Sequence, residues 1–258
     1  MNFSGAEIGA WVGSFIWPFF RIAAMVAAMP VFSSSFVPIR ARVIFALALT
    51  LVIAPTAPAM PAVDPLSIAG VVLIAQQLLI GICMGFVFHL VFDVFVIGAQ
   101  IISMQMGLGF ATMIDPINGS QAPVLSMFFL MMVTLLFLSM DGHLALIEFV
   151  AKSFTTLPVG GEGIGRDGYW SIASWGSEMF RGAVLVSLPT VTALLLVNVA
   201  LGVMTRAAPQ LNIFSVGFAV TIAAGLYVMV LTLPSVLPQF EAVSASAFAL
   251  IRSLIHAQ

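Results

Sequence analysis

Two ionisable side chains, His89 and Asp93, stand four residues apart in an otherwise apolar stretch. On a helix this spacing places them on one face, where they could relay a proton or, with His143 or Glu148 as a third ligand, bind a metal ion. No two-histidine metal motif accompanies them, so we favour a neutralised pair near a helix end or facing the protein interior. Arg21 lies in a second apolar stretch, and an ionisable group in such a place indicates a function by default.

Residues 104–122 combine turn signals with bulky apolar side chains. Asp115-Pro116 and Asn118-Gly119 are two turn signals close together, and Gly107 and Gly109 should loosen the end of the preceding helix. Because exposing apolar side chains to water is unfavourable, we expect this loop to be buried in protein, either as a gasket or as an ordinary inter-helix loop. The apolar side chains in question are Met104, Met106, Phe110, Met113 and Ile114.

Motifs for catalysis are absent from the chain. It has no nucleophile elbow, no phosphate-cradling loop ending in Lys-Ser or Lys-Thr, and no paired-aspartate motif of membrane proteases. The glycine-rich residues 158–168 follow no strand and predict a flexible, water-exposed loop that holds Glu162, Arg166 and Asp167. We therefore expect neither an enzyme nor a bound cofactor or metal.

The composition predicts an integral membrane protein. Of 258 residues, 62% are hydrophobic and 7% are charged, against about 25% charged in an ordinary soluble domain. The mean hydropathy is +1.19, and a net charge of −2 gives no reason to expect a nucleic-acid partner. The single cysteine, Cys83, excludes an intrachain disulfide. Residues 1–10 carry Glu7 and no Lys or Arg, so we expect no signal peptide to be removed.

The charge-free stretches predict six or seven membrane-embedded helices. No turn signal separates 66–90 from 91–106, so these two segments could form one long helix. Apolar residues at helical spacing predict an amphipathic end helix over 240–255, and Ser67 is an alternative to Asp64 as the residue that caps the third helix. The predicted helices are 8–32, 41–58, 66–90, 91–106, 123–150, 182–205 and 213–237.

Glycines at intervals of four residues predict close helix contacts. Gly5, Gly9 and Gly13 form one such series, and Gly81 and Gly85 form another. Small side chains let helix backbones approach closely where lipid offers no hydrophobic drive. The fold class that follows is an all-α, multi-helix integral membrane protein.

With these residues laid out, the chain resembles the FliR family of flagellar export proteins and its injectisome counterparts. The shared motifs cover nearly the whole length, and the most specific is the run from Arg206 to Phe218. The others are Arg21 and Pro30, Phe36 to Arg40, Gly98 to Gln100, Gly107 to Thr112, Asp115-Pro116, Pro123 to Ser126, Gly142-His143 and Ser153-Phe154.

The resemblance implies a subunit of an export gate in the bacterial inner membrane, at the flagellar basal body. It implies a FliP-like part over 1–180, a FliQ-like helical hairpin over 181–258, and assembly with FliP, FliQ and FlhB among membrane lipid. Residues 107–122 would then be a plug in the closed pore, which opens for unfolded export substrates.

The run from Arg206 to Phe218 fits a turn between the last two helices. Pro209 would end one helix, Asn212 could cap the next, and Arg206 could bind carbonyl groups or a partner carboxylate. Gln210 and Phe214 complete the motif. The run either shapes the hairpin or recognises a partner, and the sequence leaves both open.

Three other functions remain as alternatives. The first is the equivalent subunit of a virulence injectisome, which the form of the motifs favours less than the flagellar branch. The second is a small-solute or ion transporter with a coupled site made by Arg21, His89 and Asp93, although no clear internal repeat of broken helices supports it. The third is an assembly scaffold without a role in lining the pore.

Overall fold

The structure, a computed structural model, describes residues 5–33, 37–108, 124–207 and 213–256. Within these ranges the chain is helical and contains no strand, as the sequence predicts. In chain order the helices are α1 (Gly5–Ala28), α2 (Pro30–Ser33), α3 (Ile39–Ile53), α4 (Ile68–Gln105), α5 (Val124–Ser139), α6 (Gly142–Thr156), α7 (Arg166–Ala207), α8 (Ile213–Thr232) and α9 (Val236–His256).

The helices form two compact units, each with its own core. The first unit is Met1–Leu90, Phe137–Gly176 and Ala245–Gln258, and the second is Val91–Leu136 and Ser177–Ser244. In the first unit the Phe248 ring lies 4.8 Å from that of Phe88 and 5.4 Å from that of Phe149. In the second unit Phe95 and Phe240 pack with their ring centroids 5.8 Å apart.

Helix α4 is a single helix of 38 residues, so the alternative of one long helix over 66–106 is the correct one. Its central side chains, from Phe88 to Phe95, include five that are at most 1% exposed. A helix that is apolar on every side is stabilised by being enclosed. At 1.5 Å per residue it is about 57 Å long, which exceeds the roughly 30 Å of a hydrocarbon core.

Proline and serine chemistry sets the start of α4 and the end of α3. A short 3₁₀ turn, Ala54–Thr56, contains Pro55 and ends the α3 segment. The hydroxyl of Ser67 then accepts a hydrogen bond from the amide of Gly70 at 3.0 Å, which satisfies one of the free amides of the first turn. Ser67 is therefore the cap of α4, while an Asp64 carboxylate oxygen accepts from the Leu66 amide just before it.

The prediction of one helix over 123–150 was wrong, because this range contains the two helices α5 and α6. The chain breaks at Met140 and Asp141, and Asp141 adopts a left-handed backbone with φ 56°. Aspartate is one of the few residues that tolerate this conformation. Gly142 follows directly against the Phe137 ring, where any larger residue would overlap it.

The predicted loop and helix over 158–205 also differ from the structure. Helix α7 begins at Arg166 rather than 182 and includes Tyr169, Trp170 and Trp175. Asp167 lies in its first turn, where a negative charge favours the helix dipole. The preceding loop is shorter than predicted and is not wholly exposed, since Gly163 and Ile164 are buried.

Glycine allows α1 and α4 to pack closely in the first unit. A Cβ atom on Gly81 would overlap the carbonyl oxygen of Arg21, and one on Gly85 would lie 2.7 Å from the Cβ of Ala28. This confirms the prediction for the Gly81 and Gly85 pair. Gly13 instead faces Trp17 of its own helix, and the surroundings of Gly5 and Gly9 are not described.

Several helices expose apolar surface of the kind that lipid covers. Four helical segments of the described chain are long and apolar enough to cross a membrane: Ile39–Thr56, Ile68–Gln105, Arg166–Ala207 and Gly217–Leu254. The pair α5 and α6 would make a fifth if counted as one broken span. The amphipathic end helix is confirmed in α9, where Phe240, Ala247 and Ile251 are at most 1% exposed.

Candidate functional site

Arg21 lies fully buried in the first unit, where it joins three helices. Its Nε donates to Oε1 of Gln77 on α4 at 2.8 Å. Its Nη1 donates to the carbonyl and the hydroxyl oxygen of Ser153 on α6, at 2.8 and 2.9 Å. Its Nη2 donates to the Leu157 carbonyl at 2.8 Å, and the guanidinium lies over the Phe154 ring at 4.3 Å.

The carbonyls that Arg21 binds belong to the end of α6. Ser153 lies in its last turn, and Leu157 is its C-cap residue. The Ser153 carbonyl also accepts from the Leu157 amide at 2.9 Å, whereas carbonyls beyond the last turn have no partner within the helix and are satisfied well by cationic side chains. Arg21 of α1 therefore caps α6 from a separate part of the chain. This capping role explains why a charged side chain lies in an apolar stretch.

His89 and Asp93 both lie on α4 and are half-buried. Among the described residues no group of three His, Cys, Asp or Glu side chains could hold a metal ion. Glu148, proposed as a third ligand, instead forms an ion pair with Lys152 on α6 at 2.5 Å. The neutralised pair stays a prediction.

Helix α4 ends in a complete hydrogen-bonded motif at the start of the predicted plug. The Leu108 amide donates to the Ser103 carbonyl at 3.1 Å, and the Gly107 amide donates to that of Met104 at 3.0 Å. Gly107 has φ 83°, the left-handed conformation in which glycine is favoured. These are the two bonds of a Schellman cap, so Gly107 ends the helix where the sequence predicts a loosened end.

Within the second unit, the end of α4 is seated on α8. Met106 is fully buried, and its side chain fills the space beside Gly225: a Cβ atom there would lie 2.5 Å from Cγ and 2.8 Å from Sδ of Met106. A Cβ atom on Gly107 would lie 2.9 Å from the Phe218 ring. We call the contact of Met106 and Gly107 with Phe218, Thr221 and Gly225 the α4–α8 joint.

The Thr221 hydroxyl adds a polar contact to the joint. It lies 3.3 Å from the Met106 carbonyl oxygen, and also 3.0 and 3.1 Å from the carbonyls of Gly217 and Phe218 on its own helix. One hydroxyl proton cannot serve three acceptors fully. The packing of Met106 on Gly225 is therefore the stronger part of the joint.

The sequence did not single out Thr221 or Gly225, although one signal was available. A lone glycine inside an apolar helical segment costs about 1 kcal/mol relative to alanine, and it indicates a place where another group approaches closely. Met106 and Met104 also differ, since Met104 is 63% exposed. The two methionines predicted to act together therefore occupy different environments.

The other predicted plug residues lie outside the described residues. They are Gly109, Phe110, Met113, Ile114, Asp115, Pro116 and Asn118. Where the described chain resumes, the Ser126 hydroxyl of α5 donates to the Val96 carbonyl of α4 at 3.1 Å. The chain is thus held to α4 or α8 on both sides of this segment.

The predicted turn between the last two helices is described only at its edges. Arg206 is exposed in the last turn of α7. Pro209, Gln210 and Asn212 lie outside the described residues, and Phe214 belongs to the first turn of α8 with its side chain not described.

A cleft of about 520 Å³ in the first unit was not foreseen from the sequence. Its lining residues are Ala145, Glu148, Phe149, Lys152, Thr155, Thr156, Phe248 and Arg252. Glu148 is paired with Lys152, and the Arg252 guanidinium lies 5.8 Å from the Phe149 ring centroid. This lining contains no serine, cysteine or histidine, and the hydroxyls of Thr155 and Thr156 donate to the Lys152 carbonyl.

Comparison with known proteins supplies the family. A family model described as bacterial export proteins, family 1, matches residues 12–247. The chain is 36% identical to the flagellar biosynthetic protein FliR of Pectobacterium carotovorum subsp. carotovorum over 255 residues, which cover 99% of this chain and 97% of that protein. It is 37% identical over 246 residues to the protein of that name from Escherichia coli (strain K12), covering 95% and 94%.

A more distant relative carries the same name. The chain is 30% identical to the flagellar biosynthetic protein FliR of Bacillus subtilis (strain 168) over 220 residues, which cover 84% of this chain and 85% of that one. The family match thus extends over nearly the whole length, including the α4–α8 joint and Arg21 with its partners Gln77, Ser153 and Leu157. The chain belongs to the FliR family of bacterial flagellar export proteins.

Proposed function

We propose that this chain helps to form and to plug the pore through which unfolded flagellar proteins cross the inner membrane at the basal body. As a FliR-family protein it is a subunit of the flagellar type III export apparatus. The partners that we infer are FliP, FliQ and FlhB. The FliP-like part over 1–180 and the FliQ-like hairpin over 181–258 belong to the same proposal.

The observation that best supports a plug is the capped and packed C-terminal end of α4. The cap at Gly107 and the buried Met106 fix the chain just before residues 109–122, and Ser126 ties the chain to α4 just after them. Anchors on both sides limit where the intervening loop can lie. The Met, Phe and Ile side chains of the segment suit a steric, apolar seal.

We infer a role in transport without catalysis. The motifs of common hydrolases, kinases and membrane proteases are absent from the sequence, and the cleft in the first unit has its acidic side chain paired with Lys152. A conducting pore needs only shape, an apolar seal and contacts with neighbouring subunits.

The transporter alternative is disfavoured by Arg21. All three guanidinium nitrogens of Arg21 donate to protein acceptors, at 2.8 to 2.9 Å. A coupled ion site would need this group to exchange partners during transport, whereas here it is held by two other helices. The injectisome alternative has no observation in its favour, because the relatives described above carry a flagellar name.

The plug is tested by deleting residues 110–119. Because the proposed seal is steric and apolar, the assembled pore should then leak ions, measured as the loss of membrane potential in cells that produce the export apparatus. Recovery of FliP and FliQ with the shortened chain is the control for assembly. Normal assembly with unchanged ion permeability would contradict the plug.

A further inference from the structure

The α4–α8 joint has the properties of a rigid connection. Met106 is fully enclosed, and the space it fills exists only because residue 225 has no side chain. The amides of Met106, Gly107 and Leu108 all donate to carbonyls of the last turns of α4, so none of them needs a new partner. The Phe218 ring lies against Gly107, which prevents any larger residue there.

Separating the two helices would be costly on each of these counts. The Met106 side chain would leave its enclosed site, and the surface beside Gly225 would lose its packing. Movement elsewhere would break fewer contacts within the chain, because the faces of α5 and α7 carry large apolar side chains that are 65–69% exposed, such as Met131, Leu196 and Val203.

We propose that the α4–α8 joint is a fixed point of the gate. Met106 stays packed on Gly225 both at rest and during export, and the resting pore needs this contact in order to retain ions. Met106, Gly107 and Gly225 are its positioning residues. The inference rests on the proposed function, since a fixed point has meaning only if the chain lines or plugs a pore. It adds that helix α8 holds the end of α4 while any opening movement takes place outside the joint.

The first test locks the joint with a disulfide. Cys83 is replaced by serine, and Met106→Cys is combined with Gly225→Cys in the full chain, produced with its partners. A Cβ on residue 225 would lie 2.5 Å from Cγ of Met106, and Cγ is about 1.5 Å from its own Cβ. The two Cβ atoms would therefore be at most about 4 Å apart, and the Cβ atoms of disulfides are about 3.5–4.5 Å apart.

The disulfide should form with a mild oxidant, and secretion of flagellar proteins should then equal that of the same cells treated with reductant. An oxidised pair that blocks secretion, with recovery on reduction, would overturn the fixed joint. Failure of the pair to form in the assembled complex would overturn the contact itself. The single variant Met106→Cys, treated in the same way, controls for effects of the oxidant.

The second test loosens the joint with Met106→Ala. Ion leak through the resting apparatus should rise several-fold, while FliP and FliQ are recovered normally. Met131→Ala is the matched control, because Met131 is 65% exposed on α5 and removing it leaves the joint intact. Equal ion retention in the two variants would overturn the role of the joint.

The deletion of 110–119 separates this inference from the proposed function. If the deletion leaks and Met106→Ala holds ions, the joint is refuted and the plug stands. If neither variant leaks although both assemble, the plug and the joint fall together.

Discussion

Arg21 shows how a single charged residue can be stable inside an apolar unit. Its charge is spread over acceptors on α4 and α6 and over the Phe154 ring, and no described carboxylate pairs with it. Hydrogen bonds to a charged group are the stronger kind, at about 1.5–3 kcal/mol each. The residue thus acts as a structural cap at the end of α6.

Arg21→Ala should destabilise the chain by about 3 kcal/mol or more. The change removes the donor to the buried oxygens of Gln77 and Leu157, at about 1–3 kcal/mol each, while the Ser153 carbonyl keeps its bond from the Leu157 amide. Arg21→Lys should recover only part of the loss, because an ammonium cannot reproduce the planar fork of donors. Thermal unfolding of the complex in detergent would measure this.

Arg40→Ala is the control for this prediction, since Arg40 is an exposed arginine of the same unit. Its unfolding temperature should match that of the unchanged chain. An Arg21→Ala variant that unfolds at the same temperature as Arg40→Ala would refute the capping role.

Arg206→Ala should weaken recovery of partner subunits without affecting the fold. The side chain is exposed at the end of α7, where a partner subunit can reach it. A charge-assisted contact with a partner is worth about 1.5 kcal/mol or more, which corresponds to about tenfold in affinity. Co-purification of FliP and FliQ is the measurement, and undiminished recovery would leave Arg206 a local turn residue.

Single residues also show the limits of inference from sequence. The apolar surroundings of Arg21 revealed that it must be special, but not that Gln77 and Ser153 hold it, because those partners lie 56 and 132 residues away along the chain. Met104 and Met106 look equivalent in the sequence. Side chains two positions apart on a helix point to nearly opposite sides. Only the position of α8 decides which of the two methionines is buried.

At the scale of helices, glycines mark where backbones approach each other. Gly81 and Gly85 bring α4 onto α1, and Gly225 receives Met106. Gly202 on α7, by contrast, has no atom within 4 Å of where its Cβ would be. The same substitution should therefore have opposite effects at these positions.

Gly81→Ala should destabilise the chain by about 1–3 kcal/mol, the usual cost of overpacking. Its new Cβ would overlap the Arg21 carbonyl oxygen and lie 2.8 Å from Cβ of Ala24. Gly202→Ala should be neutral or stabilising by up to about 1 kcal/mol, because alanine favours a helix and meets no obstacle. The two unfolding temperatures, measured side by side, provide the check, and a Gly81→Ala variant as stable as Gly202→Ala would contradict the close packing.

Helix boundaries were predictable where a proline or a cap sets them and less so elsewhere. Pro55 and Ser67 delimit the ends of α3 and α4 as the sequence indicates. The break at Asp141 was missed although Asp-Gly is a turn signal, because the apolar residues on both sides of it suggest one continuous helix. The early start of α7 was missed because polar residues 166–178 do not look membrane-embedded.

At the scale of the whole molecule, the apolar surface explains why this chain needs partners or lipid. In the candidate span of α4, 61% of the most apolar window is buried within the chain. In the spans that begin at Ile39 and Arg166, the buried share is 17% and 22%. The helices with low burial must be covered by something outside the chain. A membrane location follows for the described segments, and assembly with other export subunits is the proposal that accounts for the remaining apolar faces.

The fold class and the family were accessible from the sequence because both depend on features spread along the whole chain. Apolar stretches and motifs such as Arg206 to Phe218 require no knowledge of which helix lies beside which. The α4–α8 joint was not accessible, because it depends on a contact between residues 106 and 225. The division at residues 180 and 181 stays a prediction, and α7 continues through that point as one helix.

The measurement that tests the central claim most directly is secretion of flagellar proteins by a host strain that lacks this gene. Hook and filament proteins are measured in the culture medium, before and after the gene is restored from a plasmid. A subunit of the flagellar export gate should be indispensable, so secretion should be lost in the deletion strain and should return with the plasmid. Undiminished secretion in the deletion strain would contradict the account.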